Sequence, residues 1–168
     1  MLAVVDVPAP TASTRPRTRG LLLGVGALVV LLCVVFGVTV MRQHAEYAEY
    51  RKATLESGPL PWTQRSMSVE ECVGWSVDWA MACPGVESWC ANEAPRLTRE
   101  CMTSVDRREV CEQLGDAVAS TTFGYAECEA LREPVEGRYT KRSHKKFCAA
   151  SYRAVAEHCR HGGAVPTP

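Results

Sequence analysis

Residues 71–90 read ECVGWSVDWAMACPGVESWC, three cysteines among three tryptophans with a Pro-Gly step before the third cysteine. Cys72, Ser76, Trp79 and Cys83 recur at i, i+4, i+7 and i+11, one face of an α-helix. Trp75 and Trp79 add an i,i+4 aromatic pair on that helix. Ser68 and Glu71 have the spacing of a capping box that starts it, and Pro84–Gly85 stops it. Two cysteines eleven residues apart on a helix lie about 16 Å from each other, whereas a disulfide needs Cα atoms within about 7 Å. Cys72 and Cys83 must therefore bond to a neighbouring element. A helical hairpin supplies one, with Cys90 just across the turn.

The same spacing governs the rest of the chain. Eight cysteines follow as C-x10-C-x6-C-x10-C-x9-C-x16-C-x19-C-x10-C, so the eleven-residue step occurs three times. Antiparallel nesting pairs Cys83 with Cys90 and Cys72 with Cys101 in the first half. It pairs Cys128 with Cys148 and Cys111 with Cys159 in the second. Eight cysteines admit many connectivities, and spacing alone does not choose among them. In spacing, the first half resembles the disulfide-stapled helical hairpins built on twin C-x9-C repeats. It departs from them by one residue per repeat and by Pro95 in the second helix.

That second helix runs from about Val86 to Met102, with a kink or break expected at Pro95. Ser104, Asp106 and the apolar set Val105, Val110, Cys111, Leu114 and Val118 suggest a third helix. TTFGYAECEALRE, residues 121–133, suggests a fourth. In the last, Cys148, Tyr152, Val155 and Cys159 repeat the i, i+4, i+7, i+11 face, and Gly162–Gly163 ends it. No period-two strand competes. The fold class expected is all-α: one N-terminal transmembrane helix followed by a small disulfide-stapled helical-hairpin domain.

Residues 21–40, LLLGVGALVVLLCVVFGVTV, carry no charge, and twenty residues rise about 30 Å as a helix, enough to cross the hydrocarbon core. The run exceeds a signal-peptide core, and no small-x-small cleavage site closes it. Leu32 before Cys33 also argues against a lipoprotein signal. The reading is an uncleaved signal anchor in the cell membrane. Arg15, Arg17 and Arg19 crowd the N-terminal flank, which favours the N-terminus in the cytoplasm. Eight cysteines beyond the span suit an oxidising compartment, periplasmic or extracellular. Arginine exceeds lysine, 15 to 4, which points to GC-rich coding and a bacterial cell. The expected organisation is a flexible cytoplasmic tail over 1–20, the anchor over 21–40 and a juxtamembrane helix over 41–57. A linker over 58–67, the cysteine-rich domain over 68–162 and a disordered tail over 163–168 complete it. Tyr47 and Tyr50 are expected near or just beyond the headgroup level.

Charges balance, 19 basic against 19 acidic, so net charge selects no partner. Their distribution is uneven. Residues 66–136 hold 14 acids and 5 bases, whereas residues 137–161 hold 7 bases and 1 acid. Arg138, Lys141, Arg142, Lys145 and Lys146 are a candidate anionic-partner surface, unless that helix packs on its acidic neighbour. Trp62, after Pro61, is a candidate anchor toward membrane or partner.

Catalytic patterns are lacking. C-x-x-C, G-x-S-x-G, H-E-x-x-H and phosphate-loop motifs do not occur, so no enzyme activity and no cofactor are expected. His158, Cys159 and His161 form a weak candidate metal cluster. The leading functional expectation is a non-enzymatic envelope module that binds a protein or an anionic envelope partner, with lipid around residues 21–40 and no nucleic acid. The alternative is an oxidative-folding or metal-handling factor using an exposed disulfide or the His158, Cys159, His161 cluster.

Overall fold

The computed structural model describes residues 16–164, with side chains from Gly24 onward. Every regular element among them is helical: α1 (Pro16–Arg51), α2 (Pro61–Gln64), α3 (Val69–Ala82), α4 (Glu87–Thr103), α5 (Arg108–Leu114), α6 (Tyr125–Arg132) and α7 (Arg138–Arg160). A π-helical turn over Lys52–Glu56 follows α1, and a 3-10 turn over Gly115–Ala119 follows α5. The chain divides into two compact units, one to Met41 and one from Arg42.

In the first unit α1 starts at Pro16, so residues 16–20 of the expected tail are helical; residues 1–15 and 165–168 lie outside the described residues. An 18-residue stretch of the helix has a mean hydropathy of 2.7, and by length and composition the helix could cross a membrane. Its valines have only modest helix propensity, so hydrogen-bonding within the segment, not side-chain preference, favours a helix in an apolar medium.

The second unit is built on α3, α4 and α7 packed together, with α6 and the 3-10 turn against α7. Val73 and Val77 of α3, Ala94 and Leu97 of α4, and Phe147 and Val155 of α7 form its buried centre. Buried Ser76 and Thr98 return their hydroxyls to the carbonyls of Cys72 and Ala94, at 2.8 and 2.9 Å, so neither hydroxyl is left unpaired. The capping box at Ser68 is formed. The Glu71 backbone N–H donates to Ser68 Oγ at 3.2 Å, and the Ser68 N–H donates to Glu71 Oε2 at 2.8 Å.

Four expectations change. Helix α4 runs unbroken through Pro95; the proline removes one donor, but Ala94, Leu97, Thr98 and Cys101 hold the turn against the core. The third helix begins at Arg108 instead of after Ser104. Asp106 Oδ1 accepts the Arg108 N–H at 3.0 Å, and the Arg107 N–H goes to the carbonyl of Gly163 at 2.9 Å. The linker over 58–67 contains α2, with Pro61 in its first turn, where a missing N–H costs nothing. Gly163 belongs to the fold: it is buried at φ +66°, and a Cβ there would come within 3.0 Å of the Arg107 backbone.

Candidate partner-binding surface

Disulfides join α3 to α4 through Cys72–Cys101 and Cys83–Cys90, α6 to α7 through Cys128–Cys148, and α5 to α7 through Cys111–Cys159. Cys72, Cys90, Cys101 and Cys148 are at most 2% exposed. The only free cysteine among the described residues is Cys33. Cys83, Cys111 and Cys159 are partly buried, and each of the four bridges joins one helix to another.

His158, Cys159 and His161 do not converge as ligands. The Cys159 sulfur is bonded to Cys111, His158 is buried, and His161 lies exposed at the end of α7. Burial pushes the His158 imidazole below its usual range; the Gly163 carbonyl opposes this, while Arg107 and His161 add to it. Among the described residues no group of three His, Cys, Asp or Glu side chains is placed to hold a metal ion.

Trp62 is not an external anchor. It is 6% exposed, and its ring meets Trp75 edge-on with centroids 5.0 Å apart. The short helix α2 turns it inward, covering a partly buried tryptophan that α3 alone leaves open. Tyr47 and Tyr50 likewise face the domain. Tyr50 OH donates to the Trp79 carbonyl at 3.2 Å, and Tyr47 OH donates to Glu93 Oε1 at 3.0 Å. Burial raises both phenols, with Glu93 adding to the effect on Tyr47.

Arg107 is 5% exposed. Its Nη2 donates to the Met67 carbonyl at 2.5 Å, tying the start of α5 to the segment before α3. Burial pushes the guanidinium down, opposed by Glu70.

The basic run occupies the outer side of α7. Arg138, Lys141, Arg142 and Lys146 are exposed, and Lys145 is half-buried. Lys146 pairs with Glu87 at 3.0 Å, and Lys145 donates to Tyr125 OH at 3.0 Å. Arg138, Lys141 and Arg142 make no ion pair among the described residues. Self-pairing with the acidic neighbour therefore accounts for one of the five cations.

A groove of about 590 Å³ runs along the second half of the helix, between α7 and residues 118–125. Val118, Phe123, Ala149, Tyr152 and Ala156 provide its apolar lining, and Lys145, Arg153 and Arg160 its cations. Its only carboxylate among the described residues, Glu129, is already paired with Arg132. Tyr152 is 3% exposed, its ring meets Phe123 edge-on, and burial raises its phenol, helped by Glu127 and Glu70. Neither Arg153 nor Arg160 is in an ion pair among the described residues. These two residues were not among the sequence candidates. The available signal was Lys146, Arg153 and Arg160 at seven-residue steps, which keeps them on one side of a long helix. No protein-family model matches the chain, and comparisons with curated proteins and with solved structures find no significant match.

Proposed function

We propose that this chain is a single-pass membrane-anchored module. It holds a disulfide-stapled helical domain outside the cytoplasm and binds an anionic partner there without catalysis. The observation that carries the reading is the groove beside α7, where Lys145, Arg153 and Arg160 flank an apolar floor whose one carboxylate is neutralised. An apolar floor with a few polar groups at its edge suits binding, and unpaired cations select negative charge.

The anchor reading rests on energetics. The large apolar side chains from Val25 to Phe36 are half or more exposed. Burying each such residue is worth about 1.5–3 kcal/mol, so a helix apolar on every side strongly favours a non-aqueous medium. Four cross-links after the apolar stretch, and three arginines before it, support the outward orientation.

The test is photo-crosslinking in native membranes, with a photoreactive side chain in place of Ala149 in the groove. A discrete adduct that disappears when Arg153 and Arg160 are changed to glutamate is expected. If no adduct forms, or if it survives the charge reversal, the binding role is wrong.

A further inference from the structure

The first two turns of α7 differ from the groove in their surroundings. The half-open surface beside them is lined by Cys83, Gly85, Glu87 and Cys90 from the α3–α4 turn, with Tyr139 and Ser143 from α7. The same turn receives the start of the second unit. Tyr47 packs against Gly85, the place for a Cβ lying 2.9 Å from Tyr47 Cδ2, and Trp89 meets His44 edge-on and Tyr47 at a tilt, with centroids 5.5 and 5.6 Å apart. His44, the α3–α4 turn and the beginning of α7 thus share one end of this unit.

That end is tethered. Tyr47 follows Val40, the last residue of the apolar stretch, by seven residues, and seven residues of chain reach at most about 25 Å in any conformation. Tyr47 thus lies within that reach of the end of the apolar stretch, whatever the arrangement of the two units. The exposed residues of this end suit a bilayer boundary. Tyr139 is 85% exposed and Val86 36%, and Arg138, Lys141 and Arg142 carry no ion pair among the described residues. Glu133 and Glu136 precede the run, so its attraction is local rather than a property of net charge. An aromatic ring flanked by arginine and lysine is the composition enriched at the headgroup level. Attraction to an anionic surface fades within a Debye length, about 8 Å at physiological ionic strength, so only cations held near the membrane benefit.

We infer that Arg138, Tyr139, Lys141 and Arg142 form a lipid-facing surface that docks this end of the domain on anionic phospholipid headgroups. The groove at Arg153 and Arg160 is left for the partner. This inference rests on the anchor reading above.

The test uses the full chain reconstituted in vesicles containing brominated phosphatidylcholine, with and without phosphatidylglycerol. Tyr139→Trp supplies a probe whose emission is taken as the difference from the parent protein. The expected result is loss of the added emission in anionic vesicles, restored by high salt and by combined R138Q, K141Q and R142Q. Added emission that is equally unquenched in both vesicle types overturns the inference. Alkaline carbonate extraction of the same vesicles separates the two ideas. A chain stripped from the vesicles fails the anchor reading, while a chain retained but unquenched fails only the lipid-facing surface.

Discussion

Gly124 sits at φ +76° with its Cα facing the Tyr152 ring, and a Cβ built there would lie 2.1 Å from Tyr152 Cγ. Gly124→Ala therefore combines a left-handed backbone with overlap onto a buried ring that has little room to move. A loss of about 2–4 kcal/mol is expected, read as a lower denaturant midpoint of the full chain in detergent. A midpoint within error of the parent would show that the 120–125 turn is free to shift. His144 and His158 give a second prediction at this scale. They are 4% and 9% exposed, and burial holds both imidazoles below 6.5. Asp78 opposes the shift on His144 and Arg132 adds to it. With folded values lowered, the unfolded chain takes up protons first, so stability is full above about 6.5 and declines as pH falls through that value. Glu71 and Asp106, held near 2 by Arg65 and Arg108, start to lose their contribution only at lower pH, near the ordinary carboxylate range. The denaturation midpoint should drop between about pH 7 and pH 5, and His144→Asn with His158→Asn should flatten that drop. An equal drop in the double variant would assign it to other groups.

At the scale of elements, the helical faces were largely legible and the boundaries less so. The period of Cys72, Ser76 and Trp79 identifies the buried face of α3, because any residue at that spacing meets the same neighbour; all three are at most 5% exposed. Pro95 misleads because propensity prices an isolated helix, whereas α4 is held along its length by the core and near both ends by disulfides. The start of α5 was hidden because its first donors are met by Asp106 and by Gly163, a residue far along the chain. Gly74 offers a test of the propensity argument. A Cβ added there meets nothing within 4 Å, and the residue is mid-helix. Gly74→Ala should therefore stabilise by about 0.5–1 kcal/mol, seen as a raised denaturation midpoint. Destabilisation would mean that this face of α3 packs on something the free chain lacks.

For the whole molecule, the four disulfides divide the work by loop length. Cys111–Cys159 spans 48 residues and Cys83–Cys90 spans 7. Chain entropy assigns about 4 kcal/mol to the first and about 2 kcal/mol to the second. Replacing both members of each pair by alanine should therefore lower stability more for Cys111–Cys159, which also holds α5 on α7. Equal losses, measured by thermal unfolding under non-reducing conditions, would show that local packing outweighs loop closure.

The sequence by itself determined the helical class, the apolar stretch over residues 21–40 and the need for cysteines to bridge between helices. Each of these follows from periodicity or from length, which are properties of the chain. Only the tertiary structure decided that Trp62 is covered and that Arg107 is buried, and it selected Cys111 for Cys159 from among the pairings that spacing allows, leaving no thiolate beside His158. It also decided that Arg153 and Arg160 flank an apolar groove while Arg138, Lys141 and Arg142 lie at the opposite end of the same helix. Those facts depend on which distant segments meet. Burial and pairing are relations between segments, and a one-dimensional pattern does not contain them.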